Sequence, residues 1–141
     1  MSDDYTKVSI GDLDDVAGAR GAQGMEARVI TAGVGSGRVG AMHHRMDAGV
    51  RQPFGHAHNE SEEIYIVLEG AGTIKVGDDD VPITAGDAVR VAPQAIRAFE
   101  AGPDGLTYLA IGNHVESDGR MLMGWWGGPG EGCAGRPGGP A

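Results

Sequence analysis

The sequence has little of several features that would define its class at once. Its 141 residues include a single cysteine, Cys133, and aromatic residues make up 5% of the chain. One cysteine cannot form an intramolecular disulfide, so disulfides are excluded as the framework of the fold. No run approaches the roughly 18 consecutive apolar residues of a membrane-spanning helix, so the chain is not expected to cross a bilayer.

Basic residues are scarce relative to acidic ones. Lysine and arginine number 11 against 20 aspartates and glutamates, which gives a formal net charge of -9 at pH 7. That charge repels nucleic acid phosphates and anionic lipid headgroups, so neither is an expected partner. The first residues, MSDDYTKVSIGDLDD, lack the basic start and apolar block of a secretory signal, and we expect a cytoplasmic protein.

What is present predicts one globular domain. Hydrophobic residues make up 40% and charged residues 22% of the chain, as in ordinary soluble proteins. We divide the chain into an amino-terminal arm (1–26), a barrel with an apolar carboxy-terminal segment (27–126) and a tail rich in Gly and Pro (127–141). The tail has almost nothing to bury, so we expect it to be flexible.

Short extended runs separated by turn residues follow one another from about residue 27. They are rich in Val, Ile, Tyr and Phe, with Gly, Asp and Pro between them, which is typical of an antiparallel sandwich or barrel. The predicted strands are ARVITAGV, VGAMHHRM, EIYIVLEG, GTIKVG, DVPIT, AVRVA, IRAFEA and LTYLAIG. The one predicted helix is LDDVAG at residues 13–18, with Asp12 as its N-cap.

The stretch HAHNESEE at residues 56–63 combines two imidazoles with a carboxylate. Successive strand residues face opposite sides of a sheet, so His56 and His58 point the same way and can bind one ion. Glu63 has the opposite parity, but the polar sequence NES predicts a turn that lets the next strand begin in a new phase. Two neutral imidazoles and one carboxylate suit Fe, Mn, Ni, Co or Zn, so these three residues are the predicted metal ligands.

This pattern resembles the first sequence motif of the cupin superfamily. The motif has two histidines that flank one residue, a glutamate after four more residues and a glycine after a further six, here His56, His58, Glu63 and Gly70. The resemblance covers roughly residues 38–112. It implies an all-β fold, an antiparallel jelly-roll barrel that is also called a double-stranded β-helix.

The second cupin motif is incomplete in GDAVRVAPQAIRAFEA, because Arg97 stands where the family has a further histidine ligand. A guanidinium has no lone pair to give a metal, so Arg97 cannot be the fourth ligand of the family's site, and three ligands remain. A fourth ligand could come from Gln52, His43 or His44. We expect Arg97 to point into the barrel, where its planar donors could bind an anionic group; an outward, solvated Arg97 is the alternative.

The resemblance implies a metal-dependent enzyme acting on a small, anionic organic molecule, as a dioxygenase, isomerase or cyclase. Tyr65 and Arg97 are the predicted catalytic residues, and Gln52, Arg97 and Phe99 are the predicted ligand-binding residues. Aromatic residues on strands more often belong to the core, which is the alternative for Tyr65 and Phe99. The competing hypothesis is a non-catalytic binding or sensor cupin with an incomplete or absent metal site, which the missing histidine favours.

The apolar segment MLMGWW at residues 121–126 precedes the tail. Because such a cluster is costly to leave in water, we expect it to pack across the outside of the sheet or against a second subunit. A lid over a pocket is the alternative. Cupins are frequently dimers, so the resemblance also implies a homodimer.

Overall fold

The computed structural model describes residues 3–19 and 21–126. Over these residues the chain is built mainly from antiparallel strands. The elements are a 3-10 turn (Ile10–Asp12), helix α1 (Val16–Ala19), strand β1 (Met25–Val29), helix α2 (Ile30–Val34), and strands β2 (Val39–Met46), β3 (Phe54–His58), β4 (Glu63–Val76), β5 (Asp79–Thr84), β6 (Ala88–Val91), β7 (Arg97–Asn113) and β8 (Gly119–Met123). Neither helix in this part of the chain has the length and apolar character needed to cross a membrane.

Strands β4 and β7 pair with each other along most of their length and form the centre of the fold. The first half of β4 also pairs with β6, and its second half pairs with β5. The last half of β7 carries β2 and then β1, whereas its first residue meets β3, which carries β8. The sheet therefore curls on itself into two facing halves. This arrangement confirms the predicted all-β, antiparallel jelly-roll fold.

The curl is produced where the pairing of β4 with β7 is irregular. The register shifts between Val67 and Glu69 and again between Gly70 and Gly72, as expected for bulges that bend a strand. Gly70 has a φ of 77°, and a Cβ at this position would collide with the backbone carbonyl of Gly105. Only glycine allows the two strands to approach this closely in that conformation.

The core fills the space between the two halves of the sheet. The ring of Phe99 stacks on that of Tyr108 at 4.1 Å and meets Tyr65 edge-on at 4.9 Å, so residues from both halves are in contact. The buried members of this cluster are Met46, Tyr65, Val67, Ile74, Ile83, Val91, Phe99, Ala101, Leu106, Tyr108 and Ala110.

Five of the predicted strands differ from what the structure shows. ARVITAGV is a strand only as far as Val29, because the chain then turns into α2 and ends it at Gly35, with φ 70°. EIYIVLEG and GTIKVG are one strand, β4, and IRAFEA and LTYLAIG are one strand, β7. The prediction treated internal glycines as chain breaks, whereas the bulges let each strand bend and continue. The strands β3 and β8 were absent from the predicted set, although the shared orientation expected for His56 and His58 already assumed an extended backbone at that place.

The predicted N-cap Asp12 is wrong. Helix α1 begins at Val16, and it is Asp15 Oδ1 that accepts the backbone N–H groups of Ala17 and Gly18. The same oxygen accepts the backbone N–H of Ala27, which ties the helix to β1. A carboxylate one residue before the first helical residue is the position from which a side chain can reach these donors.

Half of the segment at 121–126 is part of the sheet, because Met121–Met123 belong to β8 and pair with β3. The expectation that this segment packs across the outside of the sheet or against a second subunit is therefore not what the structure shows for these three residues. Leu122 and Trp125 are buried against Ala98, and a Cβ at Gly55 would meet the ring of Trp125. The Nε1 of Trp126 donates to the carbonyl of Gln52 at 2.8 Å. The predicted flexible tail at 127–141 lies outside the described residues, and so does Cys133.

The close approach at the bulge predicts a large cost for Gly70→Ala. We expect a loss of about 3 kcal/mol or more in the free energy of unfolding, because the methyl group collides with the Gly105 carbonyl and strains the left-handed backbone. Gly77→Ala is the matched control, since Gly77 also has a positive φ, 57°, but open space around it, and it should cost about 1 kcal/mol. Urea unfolding measures both. Equal losses would contradict the role given to the bulge.

Candidate metal centre

His56 and His58 lie on β3 with their rings on the inner side of the sheet. His56 is paired across the ladder with Arg97 on β7 and with Met121 on β8. The two imidazole centroids are 5.5 Å apart with their planes nearly perpendicular. About a fifth to a quarter of each side chain is exposed, 24% for His56 and 19% for His58, so the pair stands at the edge of the core, within reach of a ligand.

Glu63 is the first residue of β4 and joins the histidines despite its opposite parity. Its Oε1 lies 3.4 Å from His56 Nε2 and 3.2 Å from His58 Nε2. Nitrogen or oxygen atoms of the three side chains all fall within 4.8 Å of one another. The loop at 59–62 thus resets the phase of the chain, as the sequence predicted, and the structure brings the three expected ligands together.

Arg97 points into the fold, and its guanidinium is fully buried. Its Nη2 donates to Glu63 Oε1 at 2.6 Å, and its Nε donates to the Tyr65 hydroxyl at 2.9 Å. Nη1 donates to three backbone carbonyls of the preceding turn, those of Ala92, Pro93 and Ala95. Arg97 is therefore the counter-ion of Glu63, and these contacts leave at most one of its five N–H groups for a ligand.

The hydroxyl of Tyr65 completes the cluster. It donates to Glu63 Oε1 at 2.5 Å and lies 3.3 Å from His56 Nε2. Burial, followed by the neighbouring charge of Glu63, raises the pKa of Tyr65 well above its ordinary value. Tyr65 therefore keeps its proton and acts as a donor within this network.

Glu63 is ionised throughout the neutral pH range. Burial by itself would raise its pKa, but hydrogen bonds from His56, His58 and Tyr65 outweigh that effect and hold the pKa far below the usual range. The ion pair with Arg97 acts in the same direction. The cluster thus contains a permanent carboxylate that faces two imidazoles.

Two histidines of the site region are held neutral. Burial is the main cause that lowers the pKa of His56, and the charge of Arg97 adds to it. Burial lowers the pKa of His44 to about 4, with a further contribution from His56. The ring of His44 stacks on Tyr108 at 4.7 Å. Of the adjacent pair His43 and His44, it is His44 that faces inward, although neither belongs to the group of converging ligand atoms.

Two predicted ligand-binding residues serve the core instead. The Gln52 carbonyl oxygen accepts the backbone N–H of Phe99 at 2.9 Å, and its amide nitrogen donates to the Tyr108 hydroxyl at 3.3 Å. Gln52 is buried and Phe99 has no exposed surface. The geometry therefore gives no support to ligand binding by either side chain, and both ends of the Gln52 amide, suggested as a fourth metal ligand, are already engaged.

Sequence reasoning missed Asp118. This buried carboxylate lies just before β8, in a loop whose sequence, ESDG, gives no signal beyond that of a turn. It accepts backbone N–H groups from all three residues at 59–61. Burial raises the pKa of Asp118, but these hydrogen bonds outweigh burial, and the pKa lies below its ordinary value. Its Oδ2 lies 3.5 Å from His58 Nδ1.

The donor set fits a metal ion. Ligand atoms each about 2.1 Å from one ion lie about 3.0 to 3.4 Å apart, and the two imidazole nitrogens stand at such distances from Glu63 Oε1. Among the His, Cys, Asp and Glu side chains that the structure describes, His56, His58 and Glu63 are the group that converges in this way. The buried guanidinium of Arg97 opposes a further positive charge, so the fit comes with an electrostatic cost.

Comparison with known proteins agrees with this geometry. The profile of the cupin domain family matches residues 42–111, the segment that runs from β2 to β7 and contains all three candidate ligands. The protein is a cupin. No curated protein matches this cupin in sequence.

Several solved structures share the fold of this chain. A cupin protein from Bacteroides fragilis is 26% identical, with a TM-score of 0.66, over 83% of this chain and 89% of that one. The polyketide cyclase RemF from Streptomyces resistomycificus is 19% identical, with a TM-score of 0.71, over 88% and 94% of the two chains. The nucleoside dehydratase Pac13 of Streptomyces is 16% identical, with a TM-score of 0.65, over 84% and 91%.

An apolar edge borders the imidazoles of this cupin. Residues directly opposite in an antiparallel ladder point to the same face, so Met121 shares the face of His56, and Met123 that of Phe54. Met121 is 46% exposed and Met123 is 57% exposed, although their neighbour Leu122 is buried. Beside the candidate metal centre, the sheet thus presents flexible, uncharged side chains to an approaching ligand.

The buried ion pair predicts that Arg97→Met strongly destabilises the protein. We expect a loss of about 3–5 kcal/mol, because Glu63 and three carbonyls lose their partner inside the fold. Arg90→Met is the matched control, since Arg90 pairs with the adjacent Glu62 on the surface and should cost no more than about 1 kcal/mol. Chemical unfolding at pH 7 compares the two, and similar losses would contradict a buried pair.

The buried imidazoles predict acid lability. His44, with its pKa lowered to about 4, binds a proton more readily when unfolded, so the free energy of unfolding falls as pH drops from about 6.5 to 4. Glu63, with its depressed pKa, adds a further loss below about pH 4.5. We expect His44→Gln to flatten the slope between pH 6.5 and 4.5, where one proton contributes at most about 1.4 kcal/mol per pH unit. His114→Gln, on an exposed loop, is the control substitution, and unfolding series at each pH measure the slope for every variant. Equal slopes for wild type and His44→Gln would contradict the prediction.

Proposed function

We propose that this cupin binds a divalent transition metal and acts on a small organic molecule. The observation that carries the proposal is the convergence of one ring nitrogen from His56, one from His58 and a carboxylate oxygen of Glu63, all within 4.8 Å of one another. Two imidazoles and one carboxylate leave positions open for a substrate, and they suit Fe, Mn, Ni, Co or Zn. A metal bound there would supply a Lewis acid or a redox centre for the substrate's oxygen atoms.

The surrounding residues would prepare the site for that chemistry. Arg97 and Tyr65 hold Glu63 Oε1 by hydrogen bonds of 2.6 and 2.5 Å, which keeps the carboxylate ionised and aimed at the imidazoles. The Tyr65 hydroxyl retains its proton and can donate to a ligand atom that replaces one of its present contacts. One N–H of Arg97 Nη2 has no partner in the cluster, and we propose that it donates to an anionic group of the substrate.

The proposed substrate combines a polar, oxygen-bearing end with an apolar body. The exposed Met121 and Met123 beside His56 would contact the apolar part, while the cluster would bind the polar end. The similarity of the fold to a polyketide cyclase and to a nucleoside dehydratase supports an activity on small organic molecules. A cyclase, isomerase or dioxygenase reaction is compatible with this donor set.

Metal binding by the three ligands predicts thermal stabilisation of the wild-type protein, purified without an affinity tag. Adding Zn(II), Ni(II), Mn(II) or Fe(II) at about 100 times the dissociation constant should raise Tm by roughly 5–15 °C, because the ion binds the folded state alone. His56→Ala, His58→Ala and Glu63→Gln should each abolish most of the rise.

His43→Ala is the matched control for these variants. His43 neighbours His44 on β2 but is not part of the converging group, so its loss should leave the rise in Tm intact. Elemental analysis of the purified protein gives an independent measure of bound metal. A wild-type protein that contains no transition metal and gains no stability from any of the four ions would sink the metal-dependent proposal.

A second candidate function is a metal-free binding or sensor cupin. The Arg97–Glu63 ion pair favours it, because the guanidinium already neutralises the carboxylate that an ion would need. In that case the metals would leave Tm unchanged while small organic carboxylates would raise it. Stabilisation by metals that depends on His56 and His58 excludes this candidate.

A further inference from the structure

We propose that Asp118 is the positioning residue for the metal centre, orienting His58 and setting the phase in which Glu63 enters β4. The two ligands lie on either side of the loop at 59–62, and Asp118 contacts both the loop and the imidazole. This inference rests on the proposed metal-binding function and adds a residue that lies outside both sequence motifs.

The first observation is that the Asp118 side chain binds the backbone of the loop at 59–62. Its carboxylate oxygens accept N–H groups from Asn59 at 3.2 Å, Glu60 at 3.1 Å and Ser61 at 2.8 Å. Three consecutive donors on one carboxylate hold the loop in a single conformation. Because that conformation decides which face the next residues take, Asp118 is what lets Glu63 share the face of His56 and His58.

The second observation concerns the ring nitrogen of His58 that faces away from the cluster. His58 Nδ1 is buried and has no hydrogen-bond partner among the described residues, whereas Asp118 Oδ2 lies 3.5 Å away. A buried N–H without an acceptor is costly, and a carboxylate is the strongest acceptor available. Closing the gap to about 2.8 Å forms a charge-assisted hydrogen bond from Nδ1–H to Asp118. With Nδ1 held in this way, Nε2 is the nitrogen of His58 that is left to bind a metal ion beside Glu63.

The last strand brings Asp118 to this place. Gly119 begins β8 and pairs with His58 across the ladder, so the residue before it lies beside the end of β3. Ser117 adopts a φ of 52° immediately before Asp118, a conformation that is uncommon for a serine. A carboxylate that orients a ligand histidine through its second nitrogen typically raises metal affinity 10- to 100-fold.

The decisive variant is Asp118→Asn, compared with Glu116→Gln on the same loop. Both substitutions remove one negative charge, but Glu116 is exposed and contributes nothing to the loop at 59–62. We expect Asp118→Asn to weaken Zn(II) or Co(II) binding by about 10- to 100-fold in calorimetric titrations. The amide has one acceptor oxygen where the carboxylate has two, so whichever way it turns, its NH2 group faces either the loop N–H groups or Nδ1–H. Glu116→Gln should bind within about twofold of the wild type.

A second measurement separates orientation from a purely structural role of Asp118. Long-range nitrogen–proton NMR spectra of the metal-free wild type should show a proton on His58 Nδ1, which Asp118→Asn should lose in part while circular dichroism stays unchanged. A His58 protonated on Nε2 alone in the wild type overturns the inference even if Asp118→Asn does not fold. Equal metal affinity of the two variants overturns it as well. Wild-type protein that binds no metal contradicts the proposed function, whereas the spectra of the metal-free protein still test the hydrogen bond.

Discussion

The contact between Glu63 and Arg97 is the interaction on which the rest of the site depends. A carboxylate placed among Tyr65, two imidazoles and the aromatic core would be strongly disfavoured without a partner. The fully buried guanidinium supplies that partner and is itself held by the carbonyls of the turn before β7. Each charge is therefore stable only because the other is present, and the donors around Glu63 are fixed before any ligand arrives.

The two long strands decide where this charge pair lies. Glu63 begins β4 and Arg97 begins β7, and both strands bend at bulges so that their first halves belong to opposite halves of the sheet. The aromatic residues Tyr65, Phe99 and Tyr108 fill the space behind the pair. The polar cluster is consequently a part of the core that reaches the edge of the sheet, where His56, His58 and the exposed methionines of β8 meet solvent.

Arg97 also changes the charge balance of the site, which the three donor atoms alone do not show. Three potential ligands converge as in a metal centre, yet one of them is already neutralised by a permanent cation. The affinity for a metal ion would then be set by a balance between the two imidazoles, which favour an ion, and the guanidinium, which opposes it. In such a site, residues that orient the ligands, the role proposed for Asp118, would matter more than in a site with a fourth ligand.

Local spacing was enough to predict an antiparallel β protein and the grouping of His56, His58 and Glu63, because strand parity and turn chemistry act over a few residues. The jelly-roll fold was implied by the resemblance to cupins. The tertiary structure alone decided what depends on contacts between distant segments. Gln52 and Phe99 are bonded to each other in the core, and Asp118 lies beside His58 and its loop. Both contacts join segments some 45 to 60 residues apart, which strand pairing and bulges bring together. The inward direction of Arg97 followed from its place in the motif, but its partners followed only from the fold, since no pattern along the chain encodes which carboxylate a buried guanidinium meets.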